Sequence, residues 1–191
     1  MQYHLKTERS YLAYYDVSID SLLDECALQA IPLLEYKPPL IMYGKQVHQQ
    51  RNVAFFSDKS EGYYFAGKLT QSVPMTESLN KLLVYINDLC QSDFNGILVN
   101  EYCDGTQYIG AHSDNTDNID NVGVVCCSYG TQRKFRIRDK HTRSILLDVP
   151  TTSSQVWIMG GDFQKDFTHE IPVEKKIKTG RVSFTFRKHT K

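Results

Sequence analysis

The run Arg181-Val182-Ser183-Phe184-Thr185-Phe186-Arg187 is the clearest β-strand signal in this chain. Polar and apolar residues alternate along it, and a period of two residues is typical of a β-strand with one buried face. Val182, Phe184 and Phe186 are therefore predicted to pack into the core of a sheet. The polar face carries two arginines about 20 Å apart by strand rise, too far to hold one carboxylate together. We expect them to act at different ends of one ligand, unless one is structural or the face is simply solvated.

Seven further short runs of β-forming residues precede this strand, after the turn signal Asn95-Gly96. In order they are ILVNEYC, QYIGAH, VGVVCCSYG, KFRIRD, SILLDV, QVWIMG and DFTHEI. Eight short strands in quick succession predict a double-sheet jelly roll, also called a double-stranded β-helix. Residues 93–191 are expected to form this core, which makes the fold mainly β with flanking α.

The first half of the chain, residues 1–92, predicts an N-terminal helical layer. Ser18 is expected to cap one helix that ends at Pro32, and Thr76 to begin a second with its apolar residues on one stripe. Between the helices, residues 53–56 and 63–66 are aromatic-rich runs that predict a hairpin with a long turn.

Composition is that of an ordinary globular protein. The 191 residues suit a single domain, 1–191, with a sizeable core. Lys plus Arg and Asp plus Glu both number 22, so the net charge gives no evidence for a nucleic-acid partner. The five cysteines include no CxxC pair, which favours free thiols in a reducing compartment. With no apolar stretch of membrane-spanning length, we expect an intracellular monomer, nuclear or cytoplasmic, without membrane contact.

Three side chains form a candidate metal site. His112 and Asp114 are two residues apart, so on an extended strand both side chains face the same way. His169 lies on another predicted strand, residues 165–171. Two imidazoles and one carboxylate are the ligand set of a non-haem Fe(II) oxygenase, which leaves part of the metal open. Zinc accepts the same ligands, and an HxD pair alone is more often structural than metal-binding, so these residues leave both alternatives open.

Two other groups of residues have possible binding roles. Asn100 and Tyr102 share one face of the strand before His112, where an amide and a phenol suit ligand oxygens, or else cross-strand hydrogen bonds. Local basic runs would supply any phosphate contacts, although a solvated surface is the usual explanation for such runs. The basic residues are Arg133, Lys134, Arg136, Arg138, Lys140 and Arg143 in one run, and Lys175, Lys176 and Lys178 in another.

Together these residues resemble the AlkB family of Fe(II)- and 2-oxoglutarate-dependent dioxygenases. The matching pattern is Asn100-x-Tyr102, His112-x-Asp114, Ser128-Tyr129-Gly130, His169 and Arg181-x-Ser183-x-Thr185-x-Arg187. The resemblance implies that Fe(II) is held by His112, Asp114 and His169. It also implies that 2-oxoglutarate is held by Asn100, Tyr102, Arg181, Thr185 and Arg187.

Upstream, the chain is most similar to the branch of that family that repairs alkylated double-stranded DNA. Tyr43 precedes a Gly-Lys pair, and in that branch the residue at this position is a finger that inserts into the duplex. Arg51 occupies the position of an arginine that follows the finger in the family pattern. Tyr63 and Phe65 match aromatic residues of a nucleotide-recognition lid that hold the flipped base. The resemblance therefore implies that these residues bind the substrate.

The chain departs from the family pattern at two positions. Thr116 stands where repair members usually have an acidic residue that contacts the base, and Asp117 comes one place late. Thr116 is therefore a substrate-binding candidate that leaves the recognised base open. Ser183 stands where the family often has asparagine, which alters the cosubstrate pocket but leaves both arginines in place.

The resemblance implies an oxidative demethylase that releases formaldehyde from N-alkylated bases of the 1-methyladenine and 3-methylcytosine type. Its substrate would be DNA, and RNA stays open as a further substrate because the sequence does not rank the two. A base in a duplex would have to be flipped out. Two alternatives stay open. One is a dioxygenase that acts mainly on RNA, on a protein or on a small molecule. The other is a non-catalytic nucleic-acid-binding module on the same fold, against which the complete ligand and arginine sets argue.

Overall fold

The structure is a computed structural model that describes residues 1–42, 44–65, 68–115 and 122–188. The helices are α1 (Asp20–Ala30), α2 (Glu77–Cys90) and α3 (Phe163–Asp166), and a 3-10 turn covers Ile31–Leu33. The strands are β1 (Gln2–Lys6), β2 (Ser10–Asp16), β3 (Pro39–Met42), β4 (Lys45–His48), β5 (Asn52–Phe56), β6 (Gly62–Phe65), β7 (Lys68–Val73), β8 (Gly96–Tyr102), β9 (Ile109–His112), β10 (Val124–Gly130), β11 (Lys134–Asp139), β12 (Ile145–Pro150), β13 (Gln155–Gly161), β14 (Phe167–Ile171) and β15 (Arg181–Arg187).

Two sheets pack against each other and form the predicted jelly roll. The large sheet has nine strands in the order β1-β2-β13-β10-β15-β8-β5-β7-β6, and the small sheet has the order β12-β11-β14-β9. A hydrophobic cluster joins them, with Trp157 and Met159 of the large sheet against Phe135, Ile137 and others of the small sheet. All eight strands predicted after Asn95-Gly96 are present, so the mainly β fold with a jelly-roll core is confirmed.

Helices α1 and α2 cover the opposite face of the large sheet. Val182, Phe184 and Phe186 of β15 pack there, as the alternation predicts, and Phe184 and Phe186 are completely buried. Burying one such side chain contributes about 1.5–3 kcal/mol. The cap at Thr76 is confirmed, since its side chain accepts a hydrogen bond from Leu79 N. No helix in the described part of the chain is long and apolar enough to span a bilayer.

Two predictions about the N-terminal half are wrong. Ser18 does not cap α1, because the helix begins at Asp20 with Ile19 in the cap position and no side-chain hydrogen bond. Runs 53–56 and 63–66 do not pair as a hairpin: β5 lies between β8 and β7, while β6 pairs with β7. Every residue of β5 is buried, so it gains more by joining the large sheet than by pairing with β6 alone.

The helical layer predicted for residues 1–92 also contains strands. β1 and β2 extend the large sheet beside β13, and β5, β6 and β7 extend its other end. Aromatic residues make up much of β2, and these suit a half-buried pleated surface. The pairing partner of β2 lies far along the chain, so a local pattern of residues did not reveal it.

Candidate metal centre and cosubstrate cavity

A cavity of about 60 Å³ lies where the two sheets meet, with room for several water-sized groups. All eight residues predicted for the metal and the cosubstrate line it, together with Arg51 and Tyr63. Of the remaining substrate candidates, Tyr43 and Thr116 lie outside the described residues. Phe65 is the last residue of β6, and its side chain also lies outside the described part of the chain.

The candidate metal ligands converge from two paired strands. His112 on β9 and His169 on β14 are cross-strand partners, and their ring centroids are 4.4 Å apart. One ligand atom from each of His112, Asp114 and His169 lies within 4.8 Å of the other two. This is a compact donor set of two imidazoles and one carboxylate, the combination that suits Fe(II).

Asp114 reaches this cluster from a loop and not from the strand. β9 ends at His112, so the prediction that the HxD pair shares one extended strand is wrong in this detail. The backbone N of Asp114 instead donates to Gln164 Oε1 at 2.9 Å, and Ser113 Oγ donates to the carbonyl oxygen of Phe167 at 2.9 Å. These two bonds fasten the carboxylate's loop to the segment that leads into β14.

Hydrogen bonds orient two of the candidate ligands, His112 and Asp114. His112 Nδ1 lies 2.9 Å from the carbonyl oxygen of Gly110. A carbonyl only accepts, so neutral His112 carries its proton on Nδ1 and its lone pair on Nε2. The two oxygens of Asp114 are divided: Oδ1 accepts from Arg187, and Oδ2 lies 3.7 Å from His169 Nε2. Such partners on the non-ligating atoms are the usual support of a metal site.

The charge states suit metal binding. Burial, followed by the neighbouring His112, lowers the pKa of His169 to about 3, so its imidazole is neutral at physiological pH. Burial also lowers the pKa of His112. Burial opposes ionisation of Asp114, but Arg187 together with His169 and His112 outweighs it, and the pKa of the carboxyl group falls to about 2. Both imidazoles and the carboxylate are therefore in the protonation states that coordinate a cation.

Arg181 is a buried cation without an acidic partner among the described residues. Its side chain is only 5% exposed and donates through Nη2 to Ser128 Oγ at 2.8 Å. Nε and Nη1 are buried and have no hydrogen-bond partner in the part of the chain that the structure describes. Burying a charge without a counter-charge costs free energy, so we expect an anionic ligand to bind this guanidinium in the cavity.

Arg187 lies at the metal end of the same strand. It pairs with Asp114, and the ring of Tyr63 lies 4.9 Å from its guanidinium carbon. The two arginines therefore reach the cavity at separate ends, as their spacing predicts. The alternative of a solvated edge strand is wrong, because β15 lies between β10 and β8 and Arg187 is only 9% exposed.

Strand β8 places its two candidates directly beside β15. Tyr102 is the cross-strand partner of Arg181, and Asn100 is the partner of Ser183. The Tyr102 ring lies 5.4 Å from the guanidinium carbon of Arg181. Asn100 Oδ1 accepts a hydrogen bond of 2.8 Å from Arg51 Nε, and Arg51 itself is only 5% exposed.

Sequence reasoning missed two residues that support the site. Gln164, on α3, is buried and holds the backbone of Asp114, but no motif in the sequence marks it. Phe135 was predicted only to face the core; its ring stacks on His169 with a centroid distance of 5.2 Å and an angle of 17°. The alternation of polar and apolar residues along β11 predicts that Phe135 is buried, but it does not predict that Phe135 contacts His169.

The first basic run does not form an open cationic surface. Arg133 is 2% exposed, pairs with Glu174 and donates to the carbonyl oxygens of Asp104, Gln107 and Pro172. On the outer face of the small sheet, Arg136 pairs with Asp148 and Arg138 with Glu170. The solvated, internally neutralised surface is therefore the better explanation for these residues. Lys175, Lys176 and Lys178 are exposed.

Comparisons with known proteins agree with this geometry. A family model described as the 2OG-Fe(II) oxygenase superfamily matches residues 18–187. "DNA oxidative demethylase ALKBH2" of Homo sapiens is 26% identical over 155 residues, which cover 77% of this chain and 59% of the human protein. "Alpha-ketoglutarate-dependent dioxygenase alkB homolog 3" of Mus musculus is 30% identical over 103 residues, which cover 49% of this chain and 36% of the mouse protein.

A solved structure also shares the fold. "The structure of OsALKBH1" superposes with a TM-score of 0.60 at 17% identity, and the match covers 96% of this chain and 100% of that one. The resemblance to the AlkB family and the predicted pair of Fe(II) and 2-oxoglutarate are confirmed at the level of the family.

Proposed function

Because the chain belongs to the 2OG-Fe(II) oxygenase superfamily, we propose that it is an oxidative demethylase of N-alkylated bases in nucleic acid. The preferred substrates are 1-methyladenine and 3-methylcytosine in DNA, and RNA carrying the same lesions is a further substrate. The relatives named above, which are a DNA oxidative demethylase and an alkB homologue, support this choice of substrate class. The single catalytic domain, 1–191, acts as a monomer.

One observation carries the proposal: a compact His-Asp-His cluster lines the same cavity as a buried guanidinium that has no acidic partner among the described residues. His112, Asp114 and His169 would hold Fe(II), and Asp114 Oδ2 is directed to that position because Arg187 occupies Oδ1. Arg181 would bind a carboxylate of 2-oxoglutarate by charge-assisted hydrogen bonds from the N–H groups that have no partner among the described residues.

The overall reaction consumes one O2 and one 2-oxoglutarate for each methyl group removed. The N-methyl carbon is oxidised and leaves as formaldehyde, and 2-oxoglutarate becomes succinate and CO2. The ring nitrogen of the cationic methylated base regains its lone pair, and a proton is released. Bound Fe(II) and cosubstrate supply the oxidation of the C–H bond. The protein binds and orients both reactants and excludes water, so no side chain has to act as a general base.

Substrate recognition is proposed for the residues at the large-sheet edge of the cavity. Tyr63 lines the cavity and is buried against Phe55 and Arg187, so the lid strand β6 lies close to the metal end. Phe65 of the same strand is the second proposed base contact. Tyr43 would fill the space vacated by the flipped base, as wedging side chains do elsewhere, and Thr116 would contact the base itself.

A formaldehyde-release panel tests the proposal. The purified protein is incubated with Fe(II) and 2-oxoglutarate and with 1-methyladenine, 3-methylcytosine or 6-methyladenine in duplex DNA, single-stranded DNA or RNA. We expect the first two lesions in DNA to give formaldehyde and succinate in equal amounts. His112→Ala should remove both products while the folded fraction, measured by circular dichroism, is retained.

Other results would select the alternatives. Faster turnover of RNA would make the protein an RNA demethylase, and succinate release without formaldehyde would indicate a different substrate class. Binding of methylated DNA without either product would favour the non-catalytic module. Unchanged turnover in His112→Ala would show that His112 is not a metal ligand.

A further inference from the structure

We propose that Arg51 is a positioning residue of the cosubstrate pocket that acts through Asn100, and is not a contact to the nucleic acid. This inference rests on the function proposed above. It assigns the residue a role in recognising 2-oxoglutarate, where the resemblance to the repair branch implies a role in binding the substrate.

Arg51 is built into the sheet beside the cosubstrate residues. It immediately precedes β5, whose Val53 is the cross-strand partner of Asn100 and whose Asn52 is the partner of Glu101. Its side chain lines the cavity, is 5% exposed and donates through Nε to Asn100 Oδ1 at 2.8 Å. The Nε–H group is therefore committed to Asn100 and is not available to a phosphate or a base while this contact is present.

The contact decides which end of the Asn100 amide faces the ligand. Arginine has only donors, so the group it meets must be the carbonyl oxygen of Asn100 and not the NH2 group. With Oδ1 bound to Arg51, the NH2 group is the part of the side chain that remains for a ligand. Asn100 is thereby fixed as a donor, the type of group that a carboxylate or keto oxygen requires.

Charge supports the same role. Three guanidiniums, those of Arg51, Arg181 and Arg187, line the described part of the cavity against the single carboxylate of Asp114. These arginines outnumber the carboxylate, so the pocket suits an anionic ligand even before a metal is counted. An amide that presents its NH2 group to such a ligand therefore agrees with the charge of the pocket.

The test measures 2-oxoglutarate binding in the absence of nucleic acid. Isothermal titration calorimetry is carried out on the full chain with Mn(II), which stands in for Fe(II) and prevents turnover. Arg51→Met should weaken 2-oxoglutarate binding about tenfold, the effect of one lost charge-assisted or oriented hydrogen bond, and Arg51→Lys, which keeps a donor, should weaken it less. Arg136→Met, which removes a hydrogen-bonded arginine from the outer face of the small sheet, is the matched control and should bind normally.

A double variant separates positioning from direct contact. If Arg51 acts through Asn100, Arg51→Met combined with Asn100→Ala should bind 2-oxoglutarate no more weakly than Asn100→Ala alone. In turnover assays with the Fe(II) enzyme, Arg51→Met should raise KM for 2-oxoglutarate and leave kcat at saturating cosubstrate nearly unchanged. A loss of packing alone would not produce this split.

Three results would overturn the inference. Normal 2-oxoglutarate binding by Arg51→Met, together with weaker binding of methylated duplex, would show that Arg51 binds the nucleic-acid substrate. Additive losses in the double variant would mean that Arg51 touches the cosubstrate itself. If Arg51→Met does not fold, Asn100→Asp replaces it. The new carboxylate can pair with Arg51 and so keep the fold, but the NH2 donor of Asn100 is lost. Normal 2-oxoglutarate binding by this variant would reject the proposed role.

The wild-type titration keeps the two hypotheses apart. A wild-type protein that binds no 2-oxoglutarate with Mn(II) would refute the proposed function before any variant is compared, and the inference would fall with it. Normal wild-type binding with an unaffected Arg51→Met variant would refute the inference alone.

Discussion

Asp114 and Arg187 form a buried ion pair between residues 73 positions apart in the chain. The pair joins the candidate metal carboxylate to the last residue of β15 and fixes which carboxylate oxygen faces His169. It therefore links the geometry of the metal site to that of the cosubstrate pocket.

This pair gives the first prediction. Asp114→Ala leaves the Arg187 guanidinium buried and unpaired, which should lower the free energy of unfolding of the metal-free protein by about 3–5 kcal/mol. Asp114→Ala combined with Arg187→Met removes both charges and should recover much of that loss. Urea unfolding in EDTA measures both, and a double variant less stable than Asp114→Ala would contradict the prediction.

Arg181 should show a trade-off between stability and function. Arg181→Met removes a buried charge that has no acidic partner among the described residues, so the thermal midpoint of the ligand-free protein should rise. The same change should weaken 2-oxoglutarate binding by about 10- to 100-fold. Differential scanning fluorimetry and calorimetric titration measure the two effects, and a lower midpoint would indicate that the guanidinium is needed by the fold itself.

Gln164 should matter for metal affinity. Gln164→Leu removes the acceptor of the Asp114 backbone N–H, so the carboxylate loop loses an anchor and Mn(II) binding should weaken about 10- to 100-fold. Gln155→Leu changes a glutamine that contacts Trp157 and Asp16, and serves as the control. Equal Mn(II) affinities for the two variants, measured by titration calorimetry, would mean that the loop holds its position without Gln164.

The buried histidine should make the metal-free protein sensitive to acid. Burial, followed by His112, lowers the pKa of His169 from 6.5 to about 3. Between these values the unfolded chain binds a proton that the folded chain does not, so the free energy of unfolding should fall as pH is lowered from 6.5 towards 3. Urea unfolding in EDTA across this range measures the slope, which His169→Gln should flatten. His141→Gln, at an exposed histidine, should leave it unchanged.

Tyr43 gives a prediction about strandedness. If it fills the gap left by a flipped base, Tyr43→Ala should lower demethylation of duplex DNA about tenfold or more, since unstacking costs a few kcal/mol. Single-stranded substrate has no such gap and should be demethylated at nearly the normal rate. Parallel rate measurements on the two substrates decide the point, and equal losses on both would remove the finger interpretation.

The sequence predicted those features of the fold and the candidate site that depend on residues close together in the chain. The alternation along Arg181–Arg187 gives the inward and outward faces of β15 because side chains on a strand point to opposite sides whatever lies around it. Thr76 caps α2 because its bond to Leu79 N closes within one turn. In the same way, the order of ligands and arginines identified the family.

Contacts between residues far apart in the chain became known only from the tertiary structure. Gln164 reaches Asp114 across 50 positions, Arg51 reaches Asn100 across 49, and β2 pairs with β13 from the opposite half of the chain. The family resemblance implied only that Arg51 binds the substrate, whereas the structure buries Arg51 and commits its Nε to the Asn100 amide. Such placements follow from packing and burial summed over the whole core, and neither quantity is a property of the neighbouring residues in the sequence.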